Sequence, residues 1–150
     1  MPEGAGLTLG EAAGQSEQSI QRLFSLWEAT GNQPFTWYRA NTSGEALVRV
    51  GYFHPRNHMA EHFIERGEQA RGSQTYEETA AELRRADAPP HTVGPASYHL
   101  ACARVAEGRR PEALALLEEA FPMWPPLRET AVSDPRLAIL REAGIRWSLP

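Results

Sequence analysis

An all-α fold is predicted for this chain by three observations. Apolar residues recur at helical spacing in separate windows: Ile20, Leu23, Phe24 and Trp27, and later Tyr98, Ala101, Cys102 and Val105, the i, i+3, i+4, i+7 signature of one helix face. Helix-breaking residues stand where such windows end, at Gly31-Asn32, Gly67, Asp87-Ala88-Pro89-Pro90 and Gly108. The longest apolar alternation, Leu47, Val48, Val50, Tyr52 and Phe53, is too short to support a sheet. The expected architecture is an N-terminal antiparallel helical lobe at residues 1–88, a linker at 89–95, and a C-terminal helix-turn-helix with a capping helix at 96–150.

Taken in order, the first residues are rich in Gly, Ala, Glu and Gln with little periodicity, and residues 1–10 are expected to fray. The helix through Trp27 stops at Gly31-Asn32. Gln33 to Gly44 reads as a connection pinned to the core by Phe35, Trp37 and Tyr38, with Ser43 capping the next helix. Glu45 to Arg66 fits a buried helix better than a short strand. Pro55 would kink or restart it, because proline lacks the N–H and disfavours helical geometry at His54. A helix over Thr75–Ala86 places Tyr76, Ala80 and Leu83 on one face.

In the C-terminal part, Gly108 closes the helix through Tyr98 and Val105, and Pro111 suits the first turn of the next. Ala113, Leu116, Leu117 and Ala120 form its inward stripe, and the small residues Ala101, Ala113 and Ala120 let two antiparallel helices approach closely. Asp134 or Ser133 can cap a last helix with Pro135 at its start, and Ile145 and Trp147 are expected to fold back on it. The order Leu100-Ala101, Gly108, Ala113, Leu117, Ala120 and Pro125 resembles a tetratricopeptide repeat. Ser97 and Arg104 depart from that pattern, where the family has a large residue and a tyrosine. Leu127-Arg128, Ala131, Ser133-Asp134-Pro135 and Leu137 to Leu140 are similar to the end-of-group cap that follows the last repeat in many bacterial proteins. The resemblance implies a protein–protein interaction module. One repeat cannot bury its own apolar face, so the unit must pack on the N-terminal helices, on a second chain, or on both.

Composition narrows the function. With 41% hydrophobic and 23% charged residues the chain has enough apolar content for a core. A net charge of −4, a pI near 5.7 and no basic run leave no electrostatic footprint for nucleic acid. All 15 basic residues are arginines, which excludes chemistry that needs a lysine amine, such as phosphate-loop or Schiff-base mechanisms. Asp87 and Asp134 are the only aspartates, too few for calcium loops or aspartate-held magnesium sites. The lone Cys102 sits in an apolar helical run and is expected to be a buried structural thiol. No basic leader and no window of about 18 apolar residues is present, so a cytoplasmic protein without membrane association is expected.

The remaining chemistry lies in Phe53-His54-Pro55-Arg56-Asn57-His58-Met59-Ala60-Glu61-His62. Spacing of four puts His58 and His62 on one helix face, with His54 extending the row if the helix continues through Pro55. Imidazole suits one divalent metal such as zinc, iron or nickel. These surroundings, with Gly51-Tyr52-Phe53-His54-Pro55, resemble a DinB-like helical bundle over residues 15–86, which implies a metal held by three histidines. No histidine precedes His54 to supply the ligand that an earlier helix gives in that family. The leading expectation is a non-enzymatic module for interaction with a protein partner or for homodimerisation. It needs no cofactor and has no catalytic residues, and its candidate contact surface is Tyr98, Arg104 and Trp124. The alternative is a DinB-like metal-binding protein or metal-dependent enzyme using His54, His58 and His62.

Overall fold

The computed structural model describes residues 6–145 and 147. It is mainly helical, as the periodicity predicts. Helix α1 (Leu9–Thr30) begins at a capping box in which Thr8 and Glu11 satisfy each other's backbone N–H, and it ends where the Gly31 N–H meets the Trp27 carbonyl at 2.7 Å. The fraying expected for residues 1–10 thus stops short of Leu9 and Gly10, which are helical; residues 1–5 lie outside the described residues.

The expected loop at 33–44 is an antiparallel hairpin instead, β1 (Pro34–Trp37) with β2 (Ala40–Thr42), paired at Pro34 with Thr42 and Trp37 with Ala40. Its aromatics do not pin it. Phe35, Trp37 and Tyr38 are exposed, while Ala40 is buried and Arg39 lies over the Trp124 ring at 4.3 Å. Thr42, not Ser43, caps α2 (Ser43–Leu47), because Ser43 instead accepts the Gln33 N–H at 3.0 Å.

From α2 the chain passes through one π-helical stretch, Val48–Phe53, into α3 (His54–Glu65). The His54 N–H bonds to the Arg49 carbonyl, five residues back, and this wider turn carries the helix past Pro55. Next come α4 (Gln69–Arg85), α5 (Pro90–Ala106) and α6 (Arg110–Met123), joined by connections of three or four residues that make consecutive helices antiparallel neighbours. Residues 90–95, expected as a linker, are the opening turns of α5, since proline is well placed at a helix start. Helix α7 (Leu127–Ser133), a 3₁₀ turn at Pro135–Leu137 and α8 (Ala138–Glu142) close the fold. Asp134 caps the 3₁₀ turn by accepting the Arg136 N–H at 2.9 Å.

Helix α5 joins the two core clusters. Its Tyr98, Ala101, Cys102 and Val105 meet Leu117, Phe121, Leu127, Leu137 and Leu140, with Ile145 and Trp147 packed against them. Its other side, Val93, Ala96, Leu100 and Ala103, meets Phe53, Ala60, Tyr76, Ala80 and Leu83. A helix apolar on opposite sides has to lie inside the fold, which is why α5 sits between α4 and α6. At the α3–α4 crossing, a Cβ on Gly72 would stand 2.8 Å from the Ala60 carbonyl oxygen and 2.5 Å from Ile64, so only glycine permits that approach.

Candidate functional site

Three features carry exposed or convergent functional groups: the histidine row, the face of α1, and a cleft beside α5. In the histidine row, the His54 and His58 rings meet edge to face, with their Nε2 atoms 3.2 Å apart, and His58 Nδ1 lies 3.0 Å from Glu61. The contact uses the one-turn spacing of α3. His62 turns toward Phe63, its ring centroid 6.3 Å away, and is exposed. Among the described residues no three of His, Cys, Asp or Glu are placed to hold a metal ion. The three-histidine centre implied by the resemblance is not assembled by His54, His58 and His62 as they stand.

Of the expected contact residues Tyr98, Arg104 and Trp124, two are internal. Tyr98 is 2% exposed and donates its hydroxyl to Asp134 at 2.8 Å. Arg104 is 4% exposed and bonds to Ser73 at 2.7 Å, Glu77 at 2.6 Å and Glu107 at 3.0 Å. A buried guanidinium is tolerable only when its donors are paired, and these pairs fasten α5 to α4. Trp124 is partly buried under Arg39 and beside His91.

The exposed apolar surface lies elsewhere, on α1. No residue of this 22-residue helix is buried, and Ile20, Leu23, Phe24 and Leu26 are 50%, 41%, 64% and 59% exposed. Ile20, Leu23, Phe24 and Trp27 form one wall of a groove of about 690 Å³ whose other wall is Leu47, Val48, Tyr52 and Pro89. Sequence periodicity identified the stripe but not that it stays uncovered.

The cleft, of about 480 Å³, lies where α3, α4, α5 and the 3₁₀ turn converge. Its polar groups are Glu61 and Glu65 from α3, Gln69 and Tyr76 from α4, His99 and Cys102 from α5, and Arg136. The His99 ring stacks on Tyr76 with an interplanar angle of 9°, and burial followed by the charge of Arg136 pushes its pKa down to about 4. His99 is therefore neutral at pH 7. Burial raises the Cys102 thiol and the Tyr76 phenol each to about 12, so Cys102 is no nucleophile. Burial also pushes Asp134 up, but its bonds from Arg136 and Tyr98 outweigh this and hold the carboxyl below its ordinary range. Sequence reading missed this cleft because its residues come from four segments. The available signal was a histidine and an arginine inside otherwise apolar helical runs.

Comparison of the chain with protein-family models, with curated proteins and with solved structures finds no match in any of the three. Among the described residues no helix is long and apolar enough to cross a membrane.

Proposed function

We propose that this protein is a non-enzymatic interaction module, of tetratricopeptide-like type in its C-terminal half, that self-associates through α1. The observation that carries this reading is the uncovered apolar face of α1 above an open groove. Contiguous exposed apolar surface of this kind marks an interaction site, because leaving it in water forfeits about 25 cal/mol per Å². A second copy is the occupant that fits: about 33 Å of amphipathic helix pairs with itself under a two-fold axis, each stripe covering the other. The tetratricopeptide-like part is supported by the α5–α6 hairpin turned at Gly108, with Ala101, Ala113, Leu117 and Ala120 fully buried between the helices and a helical cap behind them. In this reading the C-terminal half is the rigid base and α1 the docking element.

Sedimentation equilibrium over a range of concentrations tests it. The wild-type chain is expected to dimerise, and a Leu23→Glu, Phe24→Glu variant to associate about 100-fold more weakly or less, as expected for loss of a central apolar anchor. A wild-type chain that remains monomeric throughout, or a variant that dimerises equally well, would sink the reading.

A further inference from the structure

Independently of α1, the cleft beside α5 has features of a built binding site. Its volume of about 480 Å³ falls in the range of small-molecule sites, about 300–1,000 Å³, which pair mainly apolar walls with a few convergent polar groups. The apolar wall is Ile64, Ala103 and Ala106. Besides Gln69 and Tyr76, which can both donate and accept, the polar groups include two sets of opposite preference.

One set is donors. Asp134 takes the Nε and Nη2 edge of Arg136 at 3.0 Å and 2.6 Å. A guanidinium has a second bidentate edge, between Nη1 and Nη2, and apart from a 3.4 Å contact of Nη1 with His99 Nδ1 that edge has no acceptor among the described residues. Arginine can only donate, so in this contact His99 Nδ1 accepts. A neutral imidazole accepting at Nδ1 carries its proton on Nε2, and the one hydrogen bond of His99 among the described residues is made through Nδ1, which leaves Nε2–H open. Arg136 and His99 together offer N–H groups suited to a carboxylate.

The other set is acceptors. Glu61 and Glu65 are one helical turn apart on α3 and both line the cleft. Glu61 is engaged by Asn57 and His58, whereas Glu65 has no hydrogen bond or ion pair among the described residues. Arg136 is the one arginine that lines the cleft, and its ion pair is with Asp134, not with Glu61 or Glu65. The charge of Glu65, which has no partner among the described residues, favours a cation.

We infer that this cleft binds a free amino acid with an apolar side chain. Its carboxylate would lie on the open edge of Arg136 and the His99 Nε2–H, its ammonium on Glu65 and Glu61, and its side chain along Ile64, Ala103 and Ala106. The adjacent carboxylate and ammonium of one amino acid would match a cleft whose lining carries both open donors and an open acceptor. One end alone would leave the other set unpaired.

Isothermal titration of the full chain at pH 7 tests this with three probes: L-leucine, its amide leucinamide, which lacks the carboxylate, and isocaproate, which lacks the amine. Leucine is expected to bind saturably, and each single-ended probe about tenfold or more weaker, the loss typical of a charged hydrogen bond. Glu65→Gln leaves the fold intact, since Glu65 is exposed and unpaired. It is expected to weaken leucine and leucinamide about tenfold while leaving isocaproate unchanged. Absence of saturable leucine binding, equal affinity for leucine and leucinamide, or an unchanged leucine affinity in Glu65→Gln each overturns the assignment. Dimerisation through α1 is read in a separate measurement, so either result stands without the other.

Discussion

Helices α1 and α4 are both amphipathic, yet they differ in what covers them. Helix α4 buries Gly72, Ser73, Thr75, Tyr76, Thr79, Ala80 and Leu83 between α3 and α5. Its covered face is small and hydroxylated, and Thr79 satisfies itself by bonding the Thr75 carbonyl at 2.6 Å. Helix α1 has the more apolar stripe, with leucines, a phenylalanine and a tryptophan, and buries none of it. Amphipathicity therefore identifies a helix and the face that seeks cover, but the neighbours decide whether cover exists. In α4 small residues allow close packing on both sides; in α1 large ones wait for a surface.

The largest expected effect separates these two regions by stability. Leu117 is fully buried between α5 and α6, and Leu117→Ala should cost about 2–5 kcal/mol through lost transfer energy and the cavity left behind. Phe24→Ser on α1 should leave the unfolding free energy of the monomeric chain within about 0.5 kcal/mol, because the ring is already 64% exposed. Urea unfolding at low protein concentration checks both. Equal destabilisation by the two substitutions would show that α1 belongs to the cooperative core.

A second contrast runs along pH and places the sensitivity in the body of the fold. His99 is held at about 4 against an ordinary value of 6.5 by burial and by Arg136, with Glu61 and Asp134 opposing. Between those two values the unfolded chain binds a proton that the folded chain does not, so stability falls as pH drops from about 6.5 to about 4. The whole effect is at most about 3 kcal/mol. His99→Gln should flatten the profile in that window. Two carboxylates held low against burial, Asp134 by Arg136 and Tyr98 and Glu107 by Ser73, Arg104 and Arg109, act in the same direction at lower pH, so the difference between wild type and variant isolates His99. Parallel profiles for the two proteins, measured by urea midpoints at pH 7, 5.5 and 4.5, would rule out this role.

Much of the fold was legible because it is written in local signals. The stripes of α1, α5 and α6, the stops at Gly31, Gly67 and Gly108, and the start at Asp134-Pro135 all act within one or two turns. What escaped depends on distant partners. Pro89-Pro90 reads as a break, yet Pro90 opens α5 because Val93 and Ala96 find a second core on α3 and α4. Tyr98 and Arg104 looked like surface groups because the side chains that satisfy them, Asp134 and Ser73, lie 36 and 31 residues away. The hairpin at 34–42 has too few residues for alternation to show. For the same reason the candidate sites were the least legible: an uncovered stripe and a cleft assembled from four segments have no local signature.

The smallest expected effect concerns how α4 and α5 end. Both finish in a paired-bond turn: the N–H groups of Asp87 and Ala88 return to Arg84 and Leu83 at 3.1 and 3.0 Å, and those of Gly108 and Arg109 to Val105 and Arg104 at 3.0 and 2.8 Å. The turn residue must adopt positive φ, 77° at Gly108 and 51° at Asp87. Asp87 therefore carries a left-handed strain that glycine lacks, and it sets a negative charge at the negative end of the α4 dipole. It also borders the groove under α1. Asp87→Gly relieves the strain and the charge while giving back part of the gain as chain entropy in the unfolded state, for a net stabilisation of about 0.5 kcal/mol. If dimers do cover the groove, removing a charge from its rim should also tighten association slightly. A lowered thermal midpoint in this variant would mean that the Asp87 side chain makes a stabilising contact, and that the α4 end is not the weaker copy of the α5 end.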